Sequence, residues 1–215
     1  DLVNAQGQSA APECLPVAGT LTASVYVYGN AIIQTVAMDG ITAIGSLTIV
    51  ACPNLLTISA PTATTVGNVT VDDCGSLESV SMPVLSTAGL VDVSSCSSLT
   101  SLDVANITLV DGDLSIASCP SLTAINVPVL ETVVGSLAIS GAEQVSSIQM
   151  NLLSSAGSVA INGVRSNSQT TFPCSAQQNP WESQITGAVV YSSGATIVCH
   201  DGTSTAGDDG QCSEC

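Results

Sequence analysis

Gly45-Ser46-Leu47-Thr48-Ile49-Val50-Ala51-Cys52-Pro53-Asn54-Leu55-Leu56-Thr57-Ile58-Ser59-Ala60-Pro61 is the stretch that decides the fold. After the glycine, apolar and hydroxyl side chains alternate. That sends Leu47 and Ile49 to one face of an extended segment and Thr48 to the other. Cys52, Leu55 and Ile58 follow at intervals of three, and Pro61 stands where a strand end tolerates a missing N–H. One such unit has too little apolar surface to enclose a core.

The unit recurs. Gly45, Gly67, Gly89, Gly112, Gly135 and Gly157 are spaced by 22, 22, 23, 23 and 22 residues. Each opens an alternating run, such as Asn68-Val69-Thr70-Val71 or Asp113-Leu114-Ser115-Ile116. A cysteine comes seven residues after four successive glycines, at Cys52, Cys74, Cys96 and Cys119. Leu55, Leu77, Leu99, Leu122 and Val145 form the next column, then Ile58, Val80, Leu102, Ile125 and Ile148; Pro61, Pro83 and Pro128 close three copies. Repeats of this length bury their apolar faces by stacking on one another. The expectation is an all-β chain, a parallel β-helix (β-solenoid) of about six to seven 22–23-residue coils with aromatic- and Cys-containing caps. Its segments are a cap with an irregular first coil at 1–40, solenoid repeats at 41–163, and a Cys-containing terminal cap at 164–215. All five aromatics, Tyr26, Tyr28, Phe172, Trp181 and Tyr191, lie outside the six regular repeats, as covers for open coil ends would require.

The pattern G-x-L-x-I-x-x-C-x-x-L-x-x-I-x-x-P, carried by Gly45-Ser46-Leu47-Thr48-Ile49 and by Cys119-Pro120-Ser121-Leu122-Thr123-Ala124-Ile125, resembles the receptor L domain. It is also similar to fungal GPI-anchored cell-wall proteins built on that leucine-rich-repeat-like module. The resemblance implies a right-handed coil and an extracellular, non-enzymatic surface module. The chain departs from the receptors in its near-total lack of basic residues, and from the fungal proteins in showing no apolar anchor tail.

Composition narrows the function further. Seventeen Asp and Glu face a single basic residue, Arg165, for a net charge of -16 over 215 residues. Nucleic-acid binding by phosphate neutralisation needs several Lys or Arg, and docking on anionic lipid needs the same. No run of 18 apolar residues is present for membrane insertion as a helix. With 45% hydrophobic residues and 2% aromatics, the core is built from small aliphatic side chains. Nine cysteines and the sequons at Asn68 and Asn106 point to a secreted, extracellular chain carrying N-linked glycan.

Each polar cluster has a bland and a functional reading. The cysteine column reads as buried thiols or as inter-coil bridges, since stacked coils bring Cα atoms near disulfide distance. Tetrahedral zinc does not suit cysteines in one column. Cys14, Cys174, Cys199, Cys212 and Cys215 are cap disulfide candidates. Cys199-His200 with Cys212 and Cys215 is a weaker zinc pattern, and His200 reads as a surface residue. Asp72, Asp73, Asp92, Asp111 and Asp113 come from neighbouring coils and read as a solvated acidic surface or as calcium ligands. No other cofactor is called for. Tyr26 and Tyr28, alternating beside Thr22 and Ser24, form an outward interaction face. Catalysis lacks material: His200 is the only histidine and Arg165 the only cation.

Three functions fit. The first is a non-enzymatic subunit of a cell-surface coat or filament, self-associating or binding other extracellular proteins and glycans. The second is an ice-binding solenoid, with Thr20, Thr22, Ser24, Ser46, Thr48, Asn68, Thr70, Ser115, Ser136, Ala138, Ser140 and Ser158 on a flat face that Asp72, Asp92 and Asp113 interrupt. The third is a monomeric glycan- or peptide-binding module.

Overall fold

A computed structural model describes residues 24–165. Beyond these it places the backbone of strands Gly19–Leu21, Gln169–Phe172, Val189–Tyr191 and Thr196–Cys199. Among the described residues there is no helix. The strands form two parallel sheets, one of ten strands and one of eight. The expected β-solenoid is what the chain folds into.

Each coil crosses the first sheet in a long bent strand and the second in a short one. Ile41–Val50, Thr65–Asp72 and Thr87–Ser94 are successive long strands; Thr57–Ser59, Ser79–Ser81 and Ser101–Asp103 are successive short ones. The ladder runs Leu47↔Val69↔Val91↔Leu114↔Leu137↔Val159, one residue from each coil. The short strands keep step as well, through Ile58↔Val80↔Leu102. The two 23-residue steps have a physical origin. In one coil the long strand is split into Leu109–Val110 and Leu114–Ala117, and the intervening Asp111-Gly112-Asp113 holds one residue more than Gly89-Leu90 in the preceding coil; the next coil keeps the extra residue in Val134-Gly135-Ser136, and Gly157-Ser158 after it returns to two. A local bulge absorbs the insertion and alternation resumes on both sides.

The glycine column sits at the bend of the long strands. A Cβ on Gly67 would lie 1.9 Å from the Gly45 carbonyl oxygen, and one on Gly89 2.1 Å from that of Gly67. Glycine is required here by close backbone approach between coils. A second corner needs a left-handed turn. Gly29, Ala51, Asp73, Ser95, Ser118, Gly141 and Gly163 all have φ between 53° and 62°, and each directly precedes the cysteine column or its equivalent position.

The core is a bundle of apolar columns. Leu47, Ile49, Cys52, Leu55 and Ile58 have no exposed surface, and nor do Val69, Val71, Cys74, Leu77 and Val80 one coil later. Leu85, Ile107 and Leu130 add a column that closes the third side. Hydroxyls tie the coils outside this core: Thr64 Oγ1 donates to the Thr42 carbonyl (3.0 Å), Ser86 Oγ to that of Thr64 (2.9 Å) and Thr108 Oγ1 to that of Ser86 (3.1 Å).

The stack extends beyond 41–163. Val25–Tyr28 pairs with Leu47–Val50 and Thr35–Ala37 with Thr57–Ser59, so the segment expected as an irregular first coil is in register. Gln169–Phe172 and Thr196–Cys199 extend the second sheet.

Candidate functional site

Alternation along Val25–Tyr28 buries Val25 and Val27 and turns both tyrosines out, Tyr26 being 50% and Tyr28 63% exposed. They head two outer columns of the first sheet. Tyr26 stands beside Thr48, followed by Thr70, Asp92, Ser115, Ala138 and Ala160; Tyr28 stands beside Val50, followed by Asp72, Ser94, Ala117 and Ser140. Ile32, in the turn after Tyr28, is also exposed. Ser46 and Asn68 are neighbours in a third column, and Ser136 and Ser158, hydroxyl to hydroxyl at 2.9 Å, are neighbours further along. Thr22 lies outside the described residues, and of Thr20 only the backbone is placed.

The second sheet supplies an outer column that the sequence reading passed over. Thr35, Thr57, Ser79 and Ser101 stand in register in consecutive coils, with Thr57 and Thr35 hydroxyls 3.2 Å apart. The signal was available in the residue just before each Val36, Ile58, Val80 and Leu102.

The carboxylates are distributed. Asp72 Oδ1 accepts from Ser94 Oγ at 2.9 Å, and Asp113 Oδ1 accepts from the Ser136 N–H at 2.7 Å. Asp92 lies on the flat face between Thr70 and Ser115. Asp73 is exposed at the left-handed corner and Asp111 in the bulge. Among the described residues, no three His, Cys, Asp or Glu side chains gather where they could hold a metal ion. The sequons differ in setting. Asn68 is mid-strand on the outer face, whereas Asn106 is in an exposed turn with its Nδ2 donating to the Pro83 carbonyl.

Cys52, Cys74, Cys96 and Cys119 are free and wholly buried, so of the two readings the structure has thiols rather than bridges. Each Sγ–H donates to the carbonyl two residues back in its own turn: Val50 (3.5 Å), Asp72 (3.4 Å), Ser94 (3.2 Å) and Ala117 (3.4 Å). Their neighbours in the column modify their titration. The neighbouring Cys74 sulfur, then burial, pushes the Cys52 thiol far above its ordinary value; Cys96 is raised likewise by Cys119, by Cys74 and by burial. Cys74 is pulled down by its neighbours Cys52 and Cys96, and Cys119 by Cys96, while burial opposes. With no exposed surface on any of the four, neutral thiols are the resting state. Cys14, Cys174, Cys212, Cys215 and His200 lie outside the described residues, and Cys199 is placed only as backbone at a strand end.

A shallow open groove follows the left-handed corner, lined by Ser95, Ser97, Ser118, Pro120, Gly141 and Glu143. Comparison with protein-family models, curated proteins and solved structures gave no match. The class defined by the fold is therefore the β-solenoid.

Proposed function

We propose that this chain is a non-enzymatic structural or interaction protein of the extracellular surface, a subunit of a coat or filament that works through its stacked outer faces. The observation that carries this is the pair of outward tyrosines at the head of a flat, in-register face of small side chains. Such a face offers a partner rigid, repeated contacts at roughly 4.8 Å intervals, and amphipathic aromatic anchors are what interfaces favour. Secretion, and kinship with receptor L-domain-like surface modules, belong to the same proposal and draw on the repeat pattern and the sequons. The test is the molar mass of source-purified protein by light scattering, with and without calcium. Masses many times 21.4 kDa, with filaments by electron microscopy, are expected; a clean monomer in both conditions overturns the proposal. A Tyr26→Ala/Tyr28→Ala variant that keeps its melting point should lose assembly. If it instead loses retention on glycan, the face serves a monomeric binding module.

Ice binding is the second reading, favoured by the Thr35-Thr57-Ser79-Ser101 column. Thermal hysteresis in purified protein tests it. Many other hydroxyls, Thr64, Ser86 and Thr108 among them, are already donors to the adjacent coil, which lessens their part in organising water.

A further inference from the structure

We propose that the column of Cys52, Cys74, Cys96 and Cys119 binds a thiophilic, two-coordinate monovalent cation of the copper(I) class. One ion would sit between Cys52 and Cys74, another between Cys96 and Cys119.

Packing alone does not call for sulfur here. The equivalent positions in flanking coils hold Asn30, Ala142 and Val164, and Ala142 is as fully buried as the cysteines. Four consecutive coils nevertheless present a free thiol at this one position. The hydrogen bonds to Val50, Asp72, Ser94 and Ala117 hold all four side chains alike, and those carbonyl-bearing residues are themselves paired in register, coil by coil. The sulfurs therefore repeat along the axis at the parallel-strand interval of about 4.8 Å. With the zinc–sulfur length of about 2.3 Å as the guide, two metal–sulfur bonds laid end to end span about 4.6 Å. A straight sulfur–metal–sulfur bridge fits the repeat.

The chemistry of the donor set selects the ion. A single column offers two sulfurs on a line and cannot surround a tetrahedral ion, consistent with the absence of any three-ligand cluster among the described residues. Soft sulfur ligands favour copper(I). Binding releases one proton per ion to solvent: one sulfur of each pair becomes the thiolate, and its partner coordinates as a thiol. Thiolate and monovalent cation cancel, so no net charge is left in a core where an unpaired charge is costly. The deprotonated sulfur gives up its S–H donation to the carbonyl two residues back and gains the metal–sulfur bond, and no electron is transferred. The turns bearing Cys96 and Cys119 border the corner groove through Ser95, Ser97, Ser118 and Pro120. Disulfide formation is the competing fate, and in-register side chains pointing the same way give it a poor torsion.

The experiment titrates reduced full-length chain anaerobically with copper(I) held by a chromophoric chelator. Two ions per chain are expected beyond those taken up by C52A/C74A/C96A/C119A, and one beyond it for each of C52A/C74A and C96A/C119A. X-ray absorption should show two sulfur ligands. Alanine is chosen because Ala142 already fills this position. Equal uptake by wild type and the four-alanine variant would place the copper on the other five cysteines and overturn the proposal. So would Cys52–Cys74 or Cys96–Cys119 disulfides found by peptide mass spectrometry in protein purified without reductant. If the four-alanine variant does not fold, wild-type melting decides: stoichiometric copper(I) should raise it, and an unchanged or lower melting temperature sinks the idea.

Discussion

A methyl group on Gly89 would lie 2.1 Å from the carbonyl oxygen of Gly67 and 2.8 Å from Asn68 Oδ1. Backbone cannot yield as a flexible side chain does, so Gly89→Ala forces two coils apart at the bend. The expected cost is about 3 kcal/mol or more, read from the shift in urea midpoint. At the other corner the sign reverses. Ala51 holds φ 55°, a conformation that costs an L-residue about 1–2 kcal/mol and glycine almost nothing. Ala51→Gly should stabilise the chain by about 0.5–1 kcal/mol after the entropy of the unfolded glycine is subtracted; a lower midpoint would contradict the corner geometry. The glycine column was legible because one residue type recurs at each bend. The left-handed corner was not: Gly29, Gly141 and Gly163 mark it at the ends of the series, while Ala51, Asp73, Ser95 and Ser118 hide it in the middle.

Coils are the elements of this molecule, and each is bound to its neighbours by ladders and columns in register. Removing one whole unit, residues 67–88, joins Val66 to Gly89 and leaves every column continuous. The shortened chain should keep a β-rich circular dichroism spectrum and melt cooperatively at a lower temperature, since repeat stability is a sum of unit and interface terms. Removing half a unit, residues 67–77, brings Glu78 to a bend position and breaks the register; no cooperative melt is expected. The first coil read as irregular in the sequence because Asn30 stands where later coils have cysteine and Ala23 where they have glycine. Pairing of Val25 with Leu47 and Thr35 with Thr57 shows that neither residue is indispensable for stacking.

Over the whole molecule, seventeen carboxylates repel one another with one arginine to offset them. The repulsion is long-ranged and screened by salt. Melting temperature should therefore rise between about 10 mM and 500 mM sodium chloride, where the Debye length contracts from roughly 30 Å to under 8 Å. A fall on adding salt would show that specific ion pairs, rather than self-repulsion, dominate. The same balance bears on assembly: two like-charged copies meet more readily at high ionic strength, so the light-scattering mass should grow with salt.

The sequence by itself determined the solenoid, its 22-residue period and the buried columns. These follow from composition and periodicity, which act residue by residue. Only the tertiary structure decided which hydroxyls are spent on neighbouring coils, that no three of the aspartates gather into a ligand cluster among the described residues, that the second sheet carries its own Thr/Ser column, and that four thiols share one line. Each of these depends on the exact stagger between coils. Stagger is set by the glycine bends and left-handed corners acting together across a distance of 22 residues in sequence, where no local pattern reaches.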